Sequence, residues 1–471
     1  MSAGADATAG GSSPVTRHDA RPLPGPPRAY HFPAFERRTL ANGLRLVVAR
    51  VPKLPVVTVL ALVDAGAVCD PAGREGVALL TARLLAEGTA SLGTDEVAVR
   101  FEALGTSFDA SAGWDTAVAS MTVLTGKLEP ALALMGEVVL APAFAAREVE
   151  RLKAERVAEI LQGRAEPRGL ADEMFERLLY APESRFSRPD GGSESTVAAL
   201  TPEVVRDFYT ARYRPGATTL ILAGDVTADE AERLVERVFG RWEGSAPGRV
   251  EAAATPARAS RAVHVIAKED APQSELRIGH VGLPRAHPDF FPVTVMNAVL
   301  GGLFSSRINL NLREEHAYTY GAHSGFDWRR AAGPFVVDAA VKSDVTEAAA
   351  REVLKEIDRM RAEEISESEL SLATSYLDGV FPIRYETTAA IASALASLVA
   401  YELPDDYFDA YRMRVRAVTA ADVRRAAEAH LHPDRLQLLA VGDPAVVEAP
   451  LRALDFGPVT VYDVEGRPRT A

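Results

Sequence analysis

Nine histidines and one cysteine are the chain's stock of nitrogen and sulfur metal ligands. His18 and His31 precede everything that reads as folded. The others, His264, His280, His287, His316, His323, His430 and His432, all lie in the second half, and none falls between positions 32 and 263. The first half therefore has no imidazole with which to build a zinc centre, and a zinc site made only of carboxylates is chemically poor. His316 and His323 stand seven apart across a predicted helix-to-strand break, so they share no helical face, and no metal is expected there. Cys69, alone, excludes an intramolecular disulfide and a thiolate cluster. Gly301-Gly302 is too short to cradle a phosphate and reads as a helix C-cap or a close-packed turn. Metal chemistry by this chain's own side chains is not expected.

The bulk properties narrow the field further. Of 471 residues, 47% are apolar and 25% charged, the balance of a water-soluble globular chain with more than one core. The net charge of −13 argues against nucleic acid as a partner, because a phosphate backbone demands a basic face. The longest apolar run, VVTVLALVDAGAV at 56–68, is too short to span a bilayer and is broken by Asp64, so it reads as a buried strand. Residues 1–32 are rich in Pro, Gly and Ala, lack an apolar secretory core and read as a disordered tail, which makes a cytoplasmic location the default and a periplasmic one possible if the start is misassigned.

An internal duplication positions everything else. YRPGATTLILAGD and LHPDRLQLLAVGD each carry a proline ten residues before a Gly-Asp, Pro215 to Asp225 and Pro433 to Asp443. FEALGTSFDASAG and REEHAYTYGAHSG end at Gly113 and Gly325, at nearly the same offset. Two homologous halves follow, 33–242 and 261–471, with the polar Gly/Ala/Pro-rich stretch 243–260 as linker. Strands at 43–51 and 56–66 answer one at 274–284, and apolar helices at 76–87 and 290–303 answer each other. Hairpin patterns, SFDASAGWDTAVASMTVL and YGAHSGFDWRRAAGPFVVDAAV, then lead into amphipathic helices. The expected fold is α+β, each half a mostly antiparallel sheet with helices over one face. Arg151, Arg156 and Arg164 read as helix-surface charge, and EEISESEL at 363–370 as a solvated lead-in to a helix.

Four stretches, TLANGLRLVV at 39–48, GREGVALLTARLLAEGT at 73–89, LGGLFSSRINLNLREEHAYTYGAHSGF at 300–326 and the two Gly-Asp strands, together resemble the pitrilysin (insulinase) family of zinc metallopeptidases. The half-length branch that includes the mitochondrial processing peptidase is the most similar, and the resemblance runs over nearly the whole chain after residue 33. Active members carry His-x-x-Glu-His on the helix after the second strand. The two histidines share one helical face and hold zinc, the glutamate polarises its water, and a later glutamate completes the site. Laid on this sequence, the histidine positions are Leu79 and Arg83, the glutamate position is Ala82, and the later ligand falls on Glu159, the only match. Glu159 then reads as a helix-surface carboxylate or as a partner for Arg83.

The resemblance also implies a role for the second half. Family members carry an arginine and, seven residues on, a tyrosine, here Arg313 and Tyr320. The tyrosine donates a hydrogen bond to the developing oxyanion and the arginine holds a substrate carbonyl. Tyr318, expected on the same face of a strand, is the runner-up for the phenol. The implied function is that of a zinc-less subunit of a heterodimeric peptidase, with zinc in a homologous partner that carries His-x-x-Glu-His and with unfolded peptides as substrates. The alternatives are a non-enzymatic scaffold or binding subunit of a larger complex, and an inert homodimer that captures peptides.

Overall fold

Thr218–Gly224 (TTLILAG) and Gln437–Gly442 (QLLAVG) are buried at every position. A strand with one wet face alternates apolar and polar residues, so an unbroken buried run needs cover on both faces. The computed structural model, which describes residues 29–469, shows how that cover is supplied.

The first sheet is built from Phe35–Thr39 (β1), Arg45–Arg50 (β2), Val56–Val63 (β3), Asp109–Ala112 (β4), Ala117–Leu124 (β5) and Thr218–Gly224 (β6), in the order β1-β2-β6-β3-β5-β4. The second contains Ala262–Ala267 (β7), Gln273–Val281 (β8), Ala322–Phe326 (β9), Pro334–Lys342 (β10), Gln437–Gly442 (β11) and Val459–Tyr462 (β12), in the order β12-β7-β11-β8-β10-β9. Four of the five pairings in each sheet repeat strand for strand. β2 runs parallel to β6 as β7 does to β11, and the remaining neighbours are antiparallel in both sheets. Only the outer edge differs, antiparallel β1 on β2 against parallel β12 on β7. The fold is therefore α+β, with two duplicated, mostly antiparallel sheets.

One expectation is corrected. Helices cover both faces of the central strands, and each half lends a helix to the other. Thr388–Ala400 packs on β3 and β6 of the first sheet, where Thr388 and Thr58 share a 2.9 Å hydroxyl hydrogen bond. Pro167–Leu179 packs on β8 and β11 of the second, and Arg277 Nε donates to Asp172 at 2.7 Å. Leu170, Met174 and Phe175 share a core cluster with Ile266, Leu439 and Val441. The exchange explains why residues from His31 onward form one compact unit. The stretch 243–260 contains no helix or strand and is pinned by a bridge between Tyr180 and Pro256.

The expected tail, 1–32, lies outside the described residues over positions 1–28, while Phe32 is buried and stacks on Phe408 at 4.3 Å. Among the described residues no helix is long and apolar enough to cross a membrane. Cys69 is partly buried, and burial pushes its thiol up to about 11, so it stays protonated and inert at neutral pH.

Candidate functional site

The helix expected at 76–87 spans Val77–Leu84 and unwinds through tight turns to Glu87. Asp70 fixes its start. One carboxylate oxygen accepts the Gly76 N–H at 2.8 Å and the other the Ala78 N–H at 2.9 Å, satisfying first-turn donors. Arg185 pairs with the same carboxylate at 2.9 Å, and both side chains are buried. Replacing Asp70 by asparagine keeps the shape but removes the charge and one acceptor. We expect a loss of about 1–3 kcal/mol in chemical denaturation, since it leaves buried donors unpaired.

On this helix Leu79 and Arg83 are partly exposed and Ala82 is fully buried. The sequence pattern places Leu79 in the core. The structure corrects this, because Leu79 lies one turn before Arg83 on the same outward stripe. Arg83 Nη1 donates to Glu159 Oε1 at 2.8 Å across to the helix Ala146–Ala165. Arg156 Nη1 takes the other oxygen, Oε2, at 3.0 Å, and Arg156 Nε is fixed to the Gly191 carbonyl at 3.1 Å. The Arg83 guanidinium holds the Glu159 carboxyl below its usual range. This donor set does not fit zinc: it offers no imidazole, and each oxygen of its one carboxylate is occupied by a fixed positive charge. Arg151 and Arg164 are also paired, with Glu87 and with Glu173.

In the second half the matching helix is shorter than expected. Phe290–Asn297 runs into a wider turn at Ala298–Gly302. Of the two readings of Gly301-Gly302, the close-packed turn holds, since a Cβ at Gly301 would sit 2.4 Å from Ser324 Oγ. Amide side chains stitch this turn to the sheet. Asn297 Nδ2 donates to the Ser324 carbonyl and Asn309 Nδ2 to the Phe304 carbonyl, and Asn309 Oδ1 accepts the Ala322 N–H. Sequence reasoning missed these asparagines; their signal was polar residues inside an otherwise apolar helical run.

Arg313 and Tyr320 both lie on the connection from this turn to β9. Arg313 sits in the wide turn Leu310–Glu315, with its guanidinium 4.5 Å from the ring centre of Phe304, itself 71% exposed. Tyr320 is 92% exposed. It is not on a strand, nor is Tyr318, because β9 begins at Ala322. Thr319 is the reason: its hydroxyl accepts the Gly321 N–H at 3.1 Å and shares its one proton between the carbonyls of Gly321 and Ala340, so a side chain takes the place of the ladder. Tyr318 is partly buried and stacks on His316 at 4.9 Å. The loop therefore stacks one phenol on His316 and presents the other to solvent.

Comparison with known proteins bears on the family and the fold. Residues 45–184 match the family described as Insulinase (Peptidase family M16), and residues 199–377 match the Peptidase M16 inactive domain. The chain belongs to the insulinase family. Among its relatives, an uncharacterized zinc protease of Mycobacterium leprae is 28% identical over 308 residues, 64% of this chain and 68% of the relative. Another, from Streptomyces coelicolor, is 23% identical over 396 residues, 83% of this chain and 86% of the relative. A peptidase M16 inactive domain from Pseudomonas fluorescens superposes with a TM-score of 0.81 at 27% identity, over 87% of this chain and 98% of that one. A Helicobacter pylori protease, at 18% identity, shares the fold with a TM-score of 0.82, over 87% of this chain and all of that one. The chain is therefore a member of a peptidase family.

Proposed function

We propose that this chain is the non-zinc-binding subunit of a heterodimeric metallopeptidase, with halves 33–242 and 261–471 joined by 243–260. It holds no catalytic zinc at the positions of Leu79, Ala82, Arg83 and Glu159. Its partner is a homologous chain carrying His-x-x-Glu-His, and the substrates are unfolded peptides. Arg313 holds a backbone carbonyl of the bound peptide, and Tyr320 donates a hydrogen bond to the oxyanion that forms when water attacks at the partner's site. The observation that carries the reading is the contrast between the halves. The face that holds metal in active relatives is closed by the Arg83–Glu159–Arg156 ion cluster, whereas Tyr320 stands free in solvent.

Co-expression with an insulinase-family chain that carries the intact motif tests this. Peptidase activity is expected from the pair and not from this chain alone. Equal activity of the partner with and without this chain would overturn the catalytic role. It would favour instead a scaffold role, to which one likeness lends support: Complex III2 from Candida albicans includes a chain of this fold, with a TM-score of 0.74 at 15% identity.

A further inference from the structure

Two side chains at the start of the helix Phe290–Asn297 meet a third that is distant in sequence. His287 and Asp289 flank Pro288 in the turn that leads into this helix, and His430 is the last residue of the helix Ala420–His430, which packs alongside. One potential ligand atom from each of the three lies within 4.8 Å of the other two. Among the described residues no other three histidine, cysteine, aspartate or glutamate side chains meet this closely.

Their bonding is informative. Asp289 Oδ2 and His430 Nε2 are 2.6 Å apart, and the two imidazole rings cross edge to face at 4.9 Å. Arg425, five residues before His430, donates to both Asp289 oxygens, Nη2 to Oδ1 at 2.8 Å and Nη1 to Oδ2 at 3.0 Å. His287 Nδ1 accepts the Asp289 N–H at 3.1 Å. The Arg425 contact holds the Asp289 carboxyl well below its usual range, so it is ionised at any working pH.

We propose that His287, Asp289 and His430 form a binding site for a divalent first-row cation such as zinc or cobalt. The inference is independent of the subunit reading above. Two imidazoles and one carboxylate suit these ions and not magnesium or calcium, which want more oxygen. Bonds of about 2.0–2.2 Å from a tetrahedral ion set its ligands roughly 3.3 Å apart, so shifts below about an ångström suffice. The ion takes the place of the proton between Asp289 Oδ2 and His430 Nε2, and that imidazole's N–H moves to Nδ1. Arg425 gives up Oδ2 but keeps Oδ1, which orients the ligating carboxylate. Its side chain is about half exposed (52%), so Nη1 is free to turn to solvent. Bound there, the ion ties the turn before one helix to the end of another, a structural clamp with water at its open position.

Titration of the tag-free full-length chain with cobalt(II), followed by visible absorption and calorimetry, decides the matter. One cobalt per chain is expected, with the intense d–d bands of a low-coordinate site, displaced by zinc and not by a large excess of magnesium. His287→Ala and His430→Gln are each expected to weaken binding by more than about 100-fold, beyond the roughly 10–100-fold that the loss of an outer-shell partner costs. Glu159→Gln is expected to bind like the parent chain. The absence of saturable binding, unchanged affinity in both histidine variants with folding verified by circular dichroism, or loss of binding in Glu159→Gln would each overturn the site.

Discussion

Replacing Tyr320 by phenylalanine is expected to lower kcat of the reconstituted pair by about 10²–10³ while leaving assembly intact. The magnitude is that of losing one oxyanion donor, roughly 3–4 kcal/mol. The change removes a single oxygen from a side chain that is 92% exposed, so neither folding nor subunit affinity has reason to move. Steady-state kinetics beside gel filtration checks the result. An active pair whose kcat is unchanged by Tyr320→Phe would remove the role in trans and leave the scaffold as the better account.

Two further variants give that result its meaning. Arg313→Ala should raise KM as well as lower kcat, because a carbonyl clamp acts on bound substrate before the transition state. It also leaves the exposed Phe304 ring without its guanidinium, 4.5 Å away in the parent chain. Tyr318→Phe should be near neutral, since that ring is held against His316 and is not the one presented outward.

The duplication was legible because it is written in local punctuation: the Gly-Asp that ends β6 recurs at the end of β11, and both hairpins carry their own alternation. Which helix covers which sheet was not. An amphipathic pattern says that Pro167–Leu179 has a face to bury, but not that it buries that face on strands of the other half. Ala82 and Arg83 could be singled out only through the family resemblance, and Arg83–Glu159 only as one of two readings, because a surface ion pair leaves no periodic trace. Leu79 was misplaced by residue type: leucine suggests core, yet its neighbour one turn on is a partly exposed arginine. The alternating AYTYG imitates a strand until Thr319 is seen to spend its hydroxyl on two backbone carbonyls. His430 and Asp289 are 141 residues apart, so only the packing of two helices reveals them as neighbours.

The second large effect concerns the closed face. Writing the motif back with Leu79→His, Ala82→Glu and Arg83→His is expected to give an unstable chain and no useful peptidase. Leu79 and Arg83 face outward enough to accept imidazoles. Ala82 is fully buried, and a glutamate there must enter a packed core with an unpaired carboxyl. A buried charge without a partner costs about 3–5 kcal/mol, a large fraction of a typical folding free energy. Arg83→His at the same time takes away one of the two guanidinium groups on Glu159 and leaves Arg156, bound to the Gly191 carbonyl, still pointing at the carboxylate that would have to ligate. An ion arriving there meets a fixed positive charge and imidazoles that nothing orients, since the residues that would hold their second nitrogens have no such role in this chain. Chemical denaturation of Ala82→Glu alone and of the triple variant separates the two causes. The single change should carry most of the stability loss, and the triple variant supplied with zinc should show no hydrolysis above the parent chain. Robust hydrolysis by a stably folded triple variant would mean that only the ligands had been lost and the scaffold around them kept.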